Sequence, residues 1–219
     1  MVRRLMILGP PGGGKGTLAE RLGEHLSVPH ISTGAMLRAE VAESSDLGRR
    51  AQGFMKDGRL VPDDLVTEMV LRRLAEPDAP DGWILDGFPR NLNQAQAMDR
   101  DLGDSRAEAV LVLEVPDEEV FVRIAGRRTC PNGHVYNLTK NPPRTPGVCD
   151  VDGEPLQQRE DASEDVIRDR LQIYRRETVP VLEFYDRKGI LHRLDGTGEP
   201  DEVYARVIDV LREAGRSRG

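Results

Sequence analysis

Cysteine, lysine and aromatic residues are all scarce in this chain of 219 residues, which has two Cys, one Trp and an aromatic fraction of 4%. Two cysteines are too few to staple a small secreted scaffold, and in a reducing compartment they are more often metal ligands or free thiols. No run of about 18 apolar residues is present, so no membrane-spanning helix is expected. The stretch Met1-Val2-Arg3-Arg4 leads into an apolar run too short for a signal-peptide core. Excess positive charge is missing too: the net charge is −7 and the pI near 5.3, which argues against broad contact with nucleic acid or a membrane surface. The expectation is a cytoplasmic protein with neither as partner. Lysine is confined to Lys15, Lys56, Lys140 and Lys188, so arginine dominates the basic complement. Compositional bias accounts for most of that arginine; forked recognition of phosphate is argued only where an arginine sits in a motif.

What is present begins with the apolar run Met6-Ile7-Leu8, which feeds Gly9-Pro10-Pro11-Gly12-Gly13-Gly14-Lys15-Gly16-Thr17. Glycines let a polyphosphate approach backbone N–H groups, and the helix expected from about Thr17 aims its positive dipole end at the anion. Lys15 supplies a point charge for the terminal phosphates, and the Thr17 hydroxyl can ligate the accompanying magnesium. Gly16 separates the Lys from the Thr, where the common phosphate-loop pattern has them adjacent, so the loop belongs to a subset of its class. Nucleotide chemistry is the leading reading, against a glycine-rich turn with an incidental Lys.

Along the chain, short apolar runs alternate with helical patterns. Leu5 to Leu8, Pro29 to Ile31, Trp83 to Leu85, Val110 to Val115 and Ile190 to Leu194 read as buried strands, with helices from Thr17, Asn91 and Asp117. This βαβ rhythm implies an α/β fold with a parallel sheet covered on both faces, whose ligands sit at the carboxyl ends of the strands. Two stretches interrupt it. Ile31 to Val61 is helical without an obvious strand, and Arg128 to Glu160 is rich in Pro and Gly and holds both cysteines. The last residues, Glu213 to Gly219, read as a frayed tail.

Five ordered segments carry a resemblance: the loop Gly9 to Thr17, Ile31-Ser32-Thr33-Gly34-Ala35-Met36-Leu37-Arg38, Leu85-Asp86-Gly87-Phe88-Pro89-Arg90, Arg123-Ile124-Ala125-Gly126-Arg127-Arg128, and Arg159-Glu160-Asp161 followed by Arg168-Asp169-Arg170. Together they span nearly the whole chain, which resembles the adenylate kinase family in its long form. The resemblance implies a P-loop NTPase fold, with a five-stranded parallel sheet flanked by helices. It implies a core of residues 1–31, 62–127 and 162–219, a nucleoside monophosphate clamp over 32–61 and a lid over 128–161. The implied reaction is transfer of a phosphoryl group between MgATP and AMP to give two ADP, by a monomer.

The family's residues carry over by position. Gly12, Gly13, Gly14, Lys15, Gly16 and Thr17 correspond to the ATP phosphate loop, with Asp86 holding magnesium through water. Arg123 resembles the residue that stacks on the ATP adenine, Arg127 the one that meets its phosphates, and the Gly198 backbone a contact to its base edge. On the AMP side stand Thr33, Arg38, Arg90 and Gln94, with the backbone of Arg59, Leu60, Val61 and Gly87. Gln94 suits adenine because an amide offers donor and acceptor together. Arg159 and Arg170 would close over the transferring group beside Lys15, Arg90 and Arg127, with Asp161 supporting them. The charge-rich transition state asks for such a set of forked donors; helix ion pairing, for instance of Arg168 or Arg170 with Asp165 or Asp169, is the plainer role for any one of them. Ala35 stands where many relatives carry Asp, so a hydrogen bond there is missing or replaced.

Within the lid, Cys130-Pro131-Asn132-Gly133-His134 and Cys149-Asp150-Val151-Asp152 resemble the zinc-binding form of the family's lid with one residue deleted, which implies Cys130, His134, Cys149 and Asp152 as ligands, all four of types competent for zinc. The Cys-x3-His spacing departs from the commoner pattern, and a metal-free lid with two buried thiols is the alternative. A nucleic-acid-binding zinc ribbon does not suit the acidic run Asp150 to Glu154. His25, His30 and His192 have no comparable company in sequence. Two other functions stay open: a kinase for another monophosphate, such as uridylate or guanylate, and a nucleotide-sensing module without turnover.

Overall fold

The computed structural model describes residues 2–216. Five strands, β1 (Arg4–Leu8), β2 (His30–Ser32), β3 (Trp83–Asp86), β4 (Ala109–Glu114) and β7 (Leu191–Asp195), form one parallel sheet in the order β2-β3-β1-β4-β7. Strands β5 (Arg127–Thr129) and β6 (Val135–Asn137) pair antiparallel in a separate ribbon. The central strand explains the apolar run at the start of the chain, because a parallel strand is covered on both faces. Met6 and Leu8 face one core, with Leu85, Val110 and Val112. Leu5 and Ile7 face the other, with Ile84, Leu111 and Leu113.

Helices fill both sides. The first core is closed by α4 (Asp63–Leu74), α5 (Leu92–Leu102) and α8 (Val179–Asp186), through Val70, Met98 and Val181. The second is closed by α1 (Lys15–Leu26) and α9 (Pro200–Arg216), through Leu22 and Val207. Helix α6 (Asp117–Gly126) packs on α7 (Glu164–Ile173) through Val120, Ile124, Ile167 and Leu171. A π-helical turn, Tyr174–Thr178, joins α7 to α8.

Several expected boundaries move. Helix α1 starts at Lys15, since Gly14 at φ 86° turns the loop into the helix, and β2 runs one residue further, to Ser32. The expected frayed tail is corrected in part: α9 continues to Arg216, because Val203, Val207 and Leu211 give it a buried stripe at helical spacing and Ala214 still packs against that core. Residues 217–219, also assigned to that tail, lie outside the described residues. No helix among the described residues is long and apolar enough to cross a membrane.

Segment 32–61 folds as a helical pair, α2 (Thr33–Ala42) and α3 (Asp46–Lys56), each capped by a serine: Ser32 Oγ accepts from the Ala35 N–H at 3.4 Å and Ser45 Oγ from the Gly48 N–H at 2.9 Å. The two helices meet at Gly48, where an added Cβ would lie 2.0 Å from the Glu40 carbonyl oxygen and 2.7 Å from the Val41 nitrogen. Gly48→Ala is therefore expected to lower the melting temperature, at a cost of about 1–3 kcal/mol or more; calorimetry showing an unchanged transition would contradict this close packing.

Candidate active site

Parallel register gathers the strand ends. Asp86 lies level with Ile7 of β1 and with Ser32 of β2, so the last residue of β3 sits beside the start of the glycine-rich loop. Gly16 lies against this carboxylate: a Cβ there would stand at ordinary contact distance, 3.5 Å, from Asp86 Oδ2. Lys15 lies back over the loop and donates to the carbonyls of Gly9 (3.0 Å) and Pro10 (2.7 Å). Burial lowers its pKa to about 8, although Asp86 pulls the other way. Burial alone would push Asp86 up, but the His30 ring and the Lys15 ammonium outweigh it and hold the carboxyl below its usual range.

His30 stands outside any metal-type cluster among the described residues, and it places Nε2 3.5 Å from Asp86 Oδ2. Nothing local signals this pairing, since it depends on the β2–β3 register.

Beyond β3 the chain passes through Gly87 and a cis Phe88–Pro89 peptide to Arg90. The Thr33 hydroxyl donates to the carbonyls of Asp86 (3.2 Å) and Gly87 (3.1 Å), and Arg90 Nε also donates to the Gly87 carbonyl, at 2.7 Å. From the π-helical turn, the Thr178 hydroxyl donates to the Arg90 carbonyl at 2.8 Å. Thr33, Arg38, Arg59, Leu60, Val61, Arg90, Gln94, Arg159 and Arg170 line one cavity of about 70 Å³, together with Asp161. This unites most of the expected AMP set; Gly87 sits against it through Thr33 and Arg90.

Asp161 organises the arginines. Its carboxylate pairs with Arg127 Nη2 (3.5 Å), Arg159 Nε (3.3 Å) and Arg170 Nη1. Arg170 therefore takes Asp161 rather than Asp165 or Asp169, whereas Arg168 makes the ordinary helix pair with Glu164. Burial and mutual repulsion lower the pKa of Arg38, Arg90, Arg127 and Arg159; a guanidinium stays charged, so these shifts express electrostatic tension that a phosphate would relieve. Arg127 Nε and Nη2 are buried without a hydrogen-bond partner among the described residues, a cost that an anion would remove.

Arg123, Arg127, Gly198 and the loop glycines do not line that cavity. Arg123 lies beside the loop, with Nη1 3.6 Å from where a Gly14 Cβ would stand, and its Nη2 donates to Gly196 O (2.8 Å) and Glu119 Oε1 (2.5 Å). Gly198 occupies the turn after β7 at φ 92°, where Arg206 donates to the Thr197 carbonyl at 2.8 Å. Thr17 is exposed near the start of α1.

In the ribbon segment, Cys130, His134, Cys149 and Asp152 place their ligand atoms within 4.8 Å of one another. His134 Nδ1 lies 3.2 Å from Cys130 Sγ, 3.5 Å from Cys149 Sγ and 3.0 Å from Asp152 Oδ2. Cys130 Sγ lies 3.5 Å from Asp152 Oδ2, and neither cysteine is in a disulfide. Tetrahedral ligands at zinc bond lengths stand ~3.3–3.8 Å apart; the edges here start at 3.0 Å and none exceeds 4.8 Å, so the donor set is compatible with that metal. Tyr136, Leu156 and the two thiols form the small apolar cluster here.

Phosphoryl transfer asks for positioning and positive charge rather than a covalent nucleophile, and a phosphate loop opening on a cleft of guanidinium groups is the equipment of a P-loop nucleotide kinase. The profile of the family "Adenylate kinase" matches residues 7–190. The chain is 46% identical over 213 residues to the adenylate kinase of Streptomyces griseus, covering 95% of this chain and 97% of that protein. It is 46% identical over 216 residues to that of Acidothermus cellulolyticus, covering 97% and 100%, and 45% identical over 212 residues to that of Archaeoglobus fulgidus, covering 95% and 98%. This chain belongs to the adenylate kinase family, and is accordingly a phosphotransferase.

Lys15 carries a pH dependence. Its folded pKa lies below its unfolded value, so between about pH 8 and 10.5 the unfolded chain holds more protons and stability rises with pH. The ligand-free protein is expected to gain about 1–3 kcal/mol from this group across that window. Lys15→Met is expected to melt higher than the parent at pH 7 and to lose that part of the alkaline rise; parallel melting curves from pH 7 to 10.5 would contradict the assignment.

Proposed function

We propose that this chain catalyses ATP + AMP = 2 ADP with magnesium, the AMP phosphate and base occupying the cavity between segment 32–61 and Arg90–Gln94 while the triphosphate of ATP lies along the loop Gly12 to Thr17. The observation that carries this reading is the meeting of Arg38, Arg90, Arg159 and Arg170 in one cavity lined also by Thr33 and Gln94, with Lys15 electrostatically coupled to Arg90 and Arg170.

Lys15, Arg90, Arg127, Arg159 and Arg170 neutralise the charge that spreads over the transferring phosphoryl group. Magnesium, travelling with ATP, would be held by the Thr17 hydroxyl and, through water, by Asp86; it supplies further neutralisation of phosphate charge. The carboxylate in the strand-end cluster, kept ionised by His30 and Lys15, fits that task. Arg123, Arg127 and the Gly198 backbone serve the ATP side. Gln94 presents an amide to adenine, which favours AMP over uridylate or guanylate, and the full arginine set argues against a sensor without turnover. Segments 32–61 and 128–161 act as clamp and lid, whose closure excludes water and suppresses hydrolysis of ATP. Cytoplasmic residence and a monomeric state belong to the same reading.

Zinc held by Cys130, His134, Cys149 and Asp152 gives the lid the stability its small apolar cluster does not.

Two experiments test this. ADP formation from MgATP should be strong with AMP and weak with UMP, GMP or CMP, and Lys15→Ala should reduce it by about 100-fold or more with the fold intact; near-parental turnover of Lys15→Ala would refute the phosphate-loop role. Metal analysis should find about one zinc per chain, and a strong chelator should lower the melting temperature. A melting curve indifferent to chelation would count against the metal site.

A further inference from the structure

Gln94 is held from behind at both ends of its amide. Its Nε2 donates to Asp63 Oδ1 at 2.7 Å, and its Oε1 accepts from the Arg90 backbone N–H, also at 2.7 Å. Asp63 Oδ1 accepts a second bond from Asn91 Nδ2 at 2.8 Å, while Asn91 Oδ1 caps α5 by accepting the Gln94 N–H at 2.9 Å. Asp63 stands in the first turn of α4, where the helix dipole favours the ionised carboxylate.

These partners are one-sided. A carboxylate only accepts and a backbone N–H only donates, so the amide has one orientation. Turned over, it would set its carbonyl oxygen against the Asp63 carboxylate and its NH2 against the Arg90 N–H. A primary amide has two N–H donors and two acceptor lone pairs. Each retaining bond uses one of them, which leaves one N–H and one lone pair for the cavity that Gln94 lines.

We propose that Asp63 is the positioning residue that makes this site read a 6-aminopurine and reject a 6-oxopurine, by fixing which end of the Gln94 amide donates. The proposal rests on Gln94 contacting the monophosphate's base. Adenine presents an N6–H donor beside the N1 acceptor; hypoxanthine and guanine present the reverse, an O6 acceptor beside an N1–H donor. A glutamine free to turn over serves either edge. Gln94, anchored by a carboxylate 31 residues away in sequence, serves one.

The test compares AMP with inosine monophosphate, which differs at these two positions alone, as acceptors from MgATP. Asp63→Asn keeps the shape of the side chain but can donate as well as accept, so a turned Gln94 amide gains a partner. The ratio of kcat/KM for AMP over inosine monophosphate is expected to fall by about tenfold or more, the size of effect one misplaced hydrogen bond produces. The change should lie mainly in the KM of the monophosphate, with the KM of MgATP little altered. A merely structural role would slow both acceptors together and leave the ratio unchanged. Asp63→Ala, which removes the acceptor without offering a donor, should lower the ratio in the same direction by less, and it decides the matter if Asp63→Asn does not fold. An unchanged ratio in the folded variants overturns the role of Asp63. A parent enzyme that accepts both monophosphates equally overturns the Gln94 reading itself, and the proposal with it.

Discussion

Lys15, Arg38, Arg90, Arg127, Arg159 and Arg170 repel one another across one poorly hydrated cleft, and the free energy of that crowding is the constraint to which the surrounding structure answers. Two carboxylates, Asp86 and Asp161, relieve part of it. Asp161 does so by holding Arg127, Arg159 and Arg170 at once, which aligns guanidinium groups from the start of β5, from the segment leading into α7 and from α7 itself. The relief is incomplete. The unsatisfied nitrogens of Arg127, and the pKa of Lys15 lowered first by burial and then by Arg90, Arg170 and Arg127, express what is left over, and a polyphosphate is the kind of ligand that completes the balance. Charge left uncompensated here costs the empty protein stability, and under the proposed function the same charge is what a phosphate would meet.

Using arginine in most of these positions has a further effect. A lysine buried among cations can shed its proton, as the depressed value for Lys15 illustrates, whereas a guanidinium keeps its charge and offers a planar fork. The cleft therefore keeps its field over a wide pH range, with Lys15 its one readily titrated member.

Much of this was legible in the sequence. Strands covered on both faces appear as uninterrupted apolar runs, so β1, β3 and β4 stood out, and glycine spacing after β1 announced the phosphate loop. The four ligand-competent residues of the ribbon were legible through the resemblance to the zinc-binding form of the family's lid, and the structure brings their ligand atoms within 4.8 Å of one another. The two relationships that were not legible share a cause. His30 meets Asp86 through the register of neighbouring strands, and Asp63 meets Gln94 where α4 packs on α5. Neither has a local signature, since the partners are brought together by tertiary packing. The end of α9 is hidden for the converse reason: a polar, charged composition masks the apolar stripe of Val203, Val207 and Leu211 that carries the helix past Glu213.

Lys140, in the segment 128–161, reaches Glu199 in the turn after β7 at 2.7 Å, with both side chains about half exposed. An exposed ion pair of this kind contributes at most about 1 kcal/mol, less than twice the thermal energy. The segment is fastened to the turn by a catch that Brownian motion can undo unaided, and dissolved salt loosens it further. The ion pair therefore marks where the segment touches the turn without locking it there.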